Sequence, residues 1–208
     1  MKNFLAIDTS NGYMSVVACK NGEFYTSYTP DCAMKHSVLL MEKIDEAFEK
    51  LQMTAKDCDF FASVIGAGSF TGIRIGISAI KGFCLATGKP SLAVTSFDTL
   101  AYNAIDGKGK EKILCLVNAL HGYYYACGYE KGEIVFAPSY ISEEEVLSLQ
   151  NSGYTLVSAE SLPIPTRVVH PTEGLKNATL ALATAGKFGE LNALYIRKSS
   201  AELNAQRG

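Results

Sequence analysis

NFLAIDTSNGYMSVVACKNGE (residues 3–23) and ILCLVNALHGYYYACGYEKGE (residues 113–133) read as two copies of one pattern. They align without a gap at an offset of 110, which sets Gly12 on Gly122, Tyr13 on Tyr123, Gly22 on Gly132, Glu23 on Glu133 and Asp8 on Asn118. Each copy reads as strand, short turn, strand, tight turn, strand. Asn21-Gly22 is a hairpin signal, because both residues tolerate positive φ, and Lys131-Gly132 holds the same place in the second copy. Helical periodicity follows in each half, over residues 36–51 and 71–87, then 143–150 and 178–188. A meander followed by helices, written twice, predicts an α/β protein of two lobes. The first lobe is expected over residues 1–105. The second, reduced lobe is expected over residues 106–208, its C-terminal tail able to pack back on the first. The boundary falls at the polar, glycine-containing run Asp106-Gly107-Lys108-Gly109-Lys110.

Lobes of this kind can clamp a nucleotide, with phosphate contacts from the turn after the first strand and a carboxylate at its base. Asp8, Thr9, Ser10, Asn11 and Gly12 keep that chemistry, whereas Asn118-Ala119-Leu120-His121-Gly122 lacks the carboxylate and the hydroxyls. The later strand Tyr154-Thr155-Leu156-Val157-Ser158 runs into Ala159-Glu160 instead of a glycine turn, so a second phosphate cradle is missing. Asp8 equally fits a residue that caps its own turn.

A further strand, Phe60 to Ile65, stops at Gly66-Ala67-Gly68-Ser69-Phe70-Thr71-Gly72-Ile73-Arg74-Ile75-Gly76. Glycine permits sharp backbone angles there, and Ser69 or Thr71 can cap the following helix. Strand, glycine turn and helix start form a candidate anion site at Gly66, Gly68 and Ser69. Arg74, a cation opposing the helix dipole, calls for a carboxylate or phosphate partner. The spacing matches neither the P-loop nor the dinucleotide fingerprint, and it also fits a tight connection that binds nothing.

Two helices carry more apolar surface than one sheet requires. Residues 71–87 are apolar all round, with Ile73, Ile77, Ile80 and Cys84 assigned to one face and Gly72, Gly76, Ala79, Phe83 and Ala86 to an opposite, small-residue face. Small residues permit close helix approach. In residues 36–51, Leu40, Ile44, Phe48 and Leu51 form a stripe, yet Val38, Leu39 and Met41 lie off it. The excess points to a protein–protein interface; a thin two-layer lobe with broad apolar helices is the alternative.

The chain of 208 residues is 48% hydrophobic with a net charge of −2, enough for a core and without the basic footprint of a nucleic-acid binder. The six cysteines form no CxxC pair and read as buried thiols. The chain enters its first strand directly, with no signal-peptide pattern, and no apolar stretch approaches membrane-spanning length. A cytoplasmic protein with no membrane partner is the expectation.

Gly66 to Gly76 resembles the GPGSFTGLRIG signature of the TsaB (YeaZ) family, with Ala67 where proline is usual. Asp8-Thr9-Ser10, His36-Ser37 and the closing Tyr195-Ile196-Arg197-Lys198 followed by Ser200-Ala201-Glu202 are similar as well. The resemblance implies an actin/Hsp70/sugar-kinase-like, duplicated ribonuclease H-like fold. It implies a non-catalytic subunit of the machinery that makes N6-threonylcarbamoyladenosine (t6A) in tRNA. Such a subunit binds and supports TsaD, has TsaE as a further partner, and meets tRNA only through the complex. The interface would fall on His36, Leu40, Met41, Ile44, Gly72, Gly76, Ala79 and Phe83, and the same helices would form a homodimer without TsaD. No cofactor is expected for the chain itself, with room for ATP or ADP at the complex interface. Metal-binding relatives carry His-x-x-x-His on the first helix; here His36 is followed by Leu40, and His121 and His170 lie elsewhere, so neither a metal site nor catalytic residues are expected. The enzyme-class alternative is a free-standing ATP-dependent phosphotransferase of the same fold.

Overall fold

The computed structural model describes residues 2–104 and 111–197. Strands β1 (Phe4–Asp8), β2 (Met14–Lys20) and β3 (Glu23–Thr29) form a meander, followed by α1 (His36–Lys50), β4 (Phe60–Val64), α2 (Phe70–Thr87), β5 (Ser91–Val94) and α3 (Ser96–Ala104). The second half repeats the plan with β6 (Lys112–Asn118), β7 (Tyr123–Glu130), β8 (Glu133–Ser142), α4 (Glu143–Asn151), β9 (Tyr154–Ser158), β10 (Arg167–Val168) and α5 (Pro171–Thr184). The two sheets have the orders β3-β2-β1-β4-β5 and β10-β9-β6-β7-β8, which are the same order read from opposite edges. In both, the meander is antiparallel and the later strands join in parallel. No helix separates β9 from β10 where α2 separates β4 from β5, which is the form the reduction of the second lobe takes.

Both hairpins close on two residues with positive φ, Asn21 (53°) and Gly22 (89°), then Lys131 (54°) and Gly132 (81°), as right-twisted strands require. The first strands do not follow the gapless alignment. Asp8 pairs with Ser15, whose counterpart Tyr125 pairs with Val117, so the first turn encloses residues 9–14 and the corresponding stretch of the second encloses residues 118–124, one residue more. Side-chain facing agrees with that shift. Leu5 and Ile7 pack toward α1 and α2, as Leu114 and Leu116 pack toward α4; Phe4 and Ala6 face α5, as Ile113, Cys115 and Val117 face α3. A shift of one residue moves a side chain to the other face of the sheet. Asp8 therefore corresponds to Val117, and not to Asn118.

Helices α3 and α5 are exchanged between the sheets. Phe97, Leu100 and Ala101 of α3 cover the second sheet, while Leu175 and Ala178 of α5 cover the first. The two helices touch closely enough that a Cβ on Gly174 would lie 1.8 Å from the Thr99 carbonyl oxygen. The hydrophobic cores thus cross the division expected near residue 105; the run 106–110 itself lies outside the described residues. Helix α5 also starts earlier than its periodicity over 178–188 suggests. Pro171 occupies its first turn, where no N–H is needed, and Gly186 at φ 69° follows its end. The short α3 has no expectation in the periodicity. Its signal is local: Thr95 and Asp98 cap each other, the Thr95 N–H donating to Asp98 Oδ2 (2.9 Å) and the Asp98 N–H to Thr95 Oγ1 (3.0 Å).

Contrary to the expectation from the sequence, α2 is long and apolar enough to cross a membrane by length and composition. Here Ile73, Ile77 and Ile80 lie in the core of the first sheet, as in a core helix.

Candidate functional site

The turn after β1 is held from inside. Asp8, Thr9 and Ser10 are buried, and Asp8 Oδ1 accepts from the Ser10 N–H (2.8 Å) and hydroxyl (2.6 Å). Asp8 Oδ2 is buried with no hydrogen bond among the described residues. Burial pushes the Asp8 carboxyl up, against the opposing pull of the two Ser10 hydrogen bonds. The Tyr13 hydroxyl, close enough to add to that pull, does not close a hydrogen bond onto Oδ2.

Gly66 to Gly76 serves packing in this structure. The Ser69 N–H donates to the Ser10 carbonyl (2.7 Å), the Gly72 N–H to the Ser69 hydroxyl (3.2 Å), and Thr9 Oγ1 to the Gly72 carbonyl (2.7 Å). A Cβ on Gly68 would lie 2.1 Å from the Ser10 carbonyl oxygen, and one on Gly66 2.7 Å from that of Leu194. Of the expected anion site, Asp8, Thr9, Ser10 and Gly66 are buried, while Gly68 and Ser69, with Ser10, reach the space between the lobes. Asp8 bonds to Ser10 and Thr9 to the Gly72 carbonyl, and a side chain on either glycine would meet this chain's backbone. Ser69 does cap α2. Arg74, for which a carboxylate or phosphate was the expectation, donates from Nε to the Tyr195 hydroxyl (2.9 Å) and lies over the Phe70 and Tyr195 rings.

Beside this turn a cleft of about 420 Å³ opens between the lobes, lined by Ser10, Asn11, Gly68, Ser69, Asn118, Tyr125 and Glu160 among others. Burial pushes the Glu160 carboxyl up, opposed by the backbone N–H of Asn118. A nucleotide phosphate would meet that carboxylate in the cleft, and the second lobe offers Val117 where the first has Asp8. These residues do not fit a clamped nucleotide. His36 is buried, its Nε2 2.9 Å from the Tyr13 carbonyl oxygen, and among the described residues no three His, Cys, Asp or Glu side chains gather as for a metal ion.

The partner-facing residues also need correction. His36, Leu40 and Ile44 form the core stripe of α1, and only Met41 of that set is exposed, at 47%. In α2 the glycine and isoleucine faces are not opposite. At 100° per residue they lie about a quarter-turn apart, and both turn inward: a Cβ on Gly72 would lie 2.0 Å from the Thr9 carbonyl oxygen, and one on Gly76 2.6 Å from Thr9 Oγ1. Phe83 stacks on Phe61, and Ala79 is half-buried against the same core. The apolar groups in water on this side are Met34 (93% exposed), Val38 (74%), Met41 and Leu85 (89%). Met34 and Leu85 escaped the sequence reading; Leu85 is identifiable only once the inward face of α2 is known.

Two sheets of one strand order, each covered by helices and sharing a cleft, define the actin-like, ribonuclease H-like class. Residues 26–199 match the family model described as TsaD, tRNA N6-adenosine threonylcarbamoyltransferase. The chain belongs to this family, in its TsaB (YeaZ) branch. The tRNA threonylcarbamoyladenosine biosynthesis protein TsaB of Buchnera aphidicola (Schizaphis graminum) is 33% identical over 121 residues, 58% of this chain and 57% of that one. The protein of the same name from Escherichia coli K12 is 28% identical, over 62% of this chain and 55% of that one. The matched stretch thus spans little more than half the length of these curated relatives. YeaZ from Pseudomonas aeruginosa shares the fold, with a TM-score of 0.75 at 23% identity over 94% of this chain and all of that one.

Proposed function

We propose that this protein is a non-catalytic subunit of the t6A synthesis machinery, acting in the cytoplasm by docking and supporting the TsaD transferase. The observation that carries the reading is the set of apolar side chains left in water on the first lobe: Met34 just before α1, Val38 and Met41 on α1, and Leu85 near the end of α2. Large apolar side chains exposed on neighbouring helices are candidates for protein contacts. The names of the relatives supply the pathway. The buried Asp8, the glycines set against backbone and Val117 in the second lobe favour a supporting role over a phosphotransferase. ATP or ADP, if part of the complex, would then be held largely by the partner, and TsaE would join the assembly that TsaD and this chain form. Without TsaD the same face pairs two copies of the chain, as an isologous contact.

Val38→Glu tests the docking. The side chain stands in water, so the lobe folds as before, and burying an unpaired carboxylate on docking costs on the order of 3 kcal/mol or more. TsaD binding is expected to weaken about a hundredfold. Calorimetric titration of TsaD into the folded variant reads the loss, and t6A in bulk tRNA falls when the variant replaces the native protein. Unchanged affinity for TsaD overturns the assignment of this face.

A further inference from the structure

The stretch after α5 fastens the two lobes with rings and guanidinium groups. The Leu194 N–H donates to the Ile65 carbonyl (2.7 Å). Tyr195 stacks on Phe70, their centroids 4.2 Å apart and their planes 12° from parallel. Two residues later, Arg197 lies over the Tyr140 ring at 5.0 Å, and its Nη1 donates to the Tyr140 hydroxyl (3.1 Å). Tyr140 is stacked in turn on Tyr123 (4.7 Å, 3°) and tilted against Tyr125 (5.8 Å). Tyr125 and Ser69, the neighbour of Phe70, both line the interlobe cleft. Two groups of aromatic rings, Phe70 with Tyr195 and Tyr140 with Tyr123 and Tyr125, each with an arginine over a ring, therefore form a broken row beside the cleft. Tyr123 is 40% exposed although one face of its ring rests on Tyr140, so its other face stands in water.

We propose that this row is a stacking platform for the unpaired bases of single-stranded RNA, with Arg197 beside a backbone phosphate. Flat rings alternating with guanidinium planes offer what splayed bases take up, a π-face and a cation next to it. The net charge of −2 gives no broad attraction for phosphate, so stacking has to supply the binding. Glu160 lies in the cleft and repels phosphate there. The strand runs along the rings at the rim, not into the cleft. A protein partner is better served by the exposed aliphatic side chains of Val38, Met41 and Leu85 on α1 and α2. The inference rests on the t6A reading only for the identity of the RNA, a tRNA loop presented beside TsaD; it amends the expectation that tRNA meets the complex through other subunits alone.

The test titrates the full chain, without TsaD, into fluorescein-labelled oligoadenylate at low salt and follows anisotropy. Wild type is expected to bind saturably. Tyr123→Ala is expected to weaken binding at least about fivefold, by loss of one stacked base, while Tyr123→Phe keeps the ring and binds as wild type. Arg197→Ala is expected to lower both the affinity and its dependence on salt by about one phosphate contact. Circular dichroism checks the fold, and Arg197→Ala decides the matter should Tyr123→Ala fail to fold. No saturable binding by wild type, or equal binding by folded Tyr123→Ala and Arg197→Ala, overturns the proposal. So does a loss of TsaD capture by these variants with RNA binding unchanged, which would make the rings a protein contact. Because the RNA titration omits TsaD, its failure leaves the docking of α1 and α2 untouched, and failed docking leaves it untouched in turn.

Discussion

Gly72→Ala and Gly82→Ala place the same methyl group on the same helix and should change stability in opposite directions. At Gly72 the new Cβ would lie 2.0 Å from the Thr9 carbonyl oxygen and 3.1 Å from its carbon, with backbone on both sides of the contact. Ordinary van der Waals separation is more than 1 Å longer, so the start of α2 must move off β1. That movement loosens Ile73 and Ile77 in the core and stretches the 2.7 Å bond from Thr9 Oγ1 to the Gly72 carbonyl. Overpacking of this kind costs about 1–3 kcal/mol, and a lost buried hydrogen bond adds about 1 kcal/mol. The helix propensity of alanine returns at most about 1 kcal/mol, so the net expectation is a destabilisation of about 2 kcal/mol. At Gly82 nothing lies within 4 Å of the new methyl group, and only the propensity gain of about 0.5–1 kcal/mol remains. Urea unfolding followed by circular dichroism measures both, and the midpoint of thermal unfolding moves about 2–4 °C per kcal/mol for a chain of this size. A Gly72→Ala variant as stable as the parent refutes the reading of this glycine as a packing requirement. In that case the segment would have room above it, and an anion site would again fit.

Asp8→Asn should stabilise the protein at neutral pH, since the amide keeps an oxygen for Ser10 and removes the buried charge. The folded carboxyl sits above its unfolded value, so native Asp8 favours folding least once the pH exceeds the folded pKa. The advantage of the variant should fade as the pH falls to about 3.9 and below, where the unfolded carboxyl is protonated too. Thermal melts across that range check it, and a variant less stable than the parent at pH 7.5 contradicts the assignment. Thr95→Ala removes the hydroxyl that caps α3 and should cost about 1 kcal/mol in urea unfolding, whereas Ser139→Ala, an exposed hydroxyl bonded only to a nearby carbonyl, should cost little.

The periodicity of the chain determines the two α/β lobes, the paired hairpins at Asn21-Gly22 and Lys131-Gly132, and the positions of α1, α2 and α4, because these depend on local backbone preference and on alternation over a few residues. The family, too, is legible in residues 66–76. Which way a helix turns is another matter. Helix α2 is apolar on nearly all sides, so no polar stripe marks its outer face; contact with Thr9 and Ser63 turns Gly72 and Gly76 inward and leaves Leu85 in water. Asp8 likewise reads either as the carboxylate of a nucleotide clamp or as a cap of its own turn, and the structure buries it with Oδ1 on Ser10. The one-residue difference between the turns after β1 and β6 is invisible in an alignment that stays gapless through the hairpin, yet it places Val117 opposite Asp8. Helices α3 and α5 cross to each other's sheets because each sheet buries both its faces, and the second cover comes from the other half of the chain. Local sequence sets what each segment becomes; which of its faces is buried depends on residues far away along the chain, and only the assembled structure brings those together.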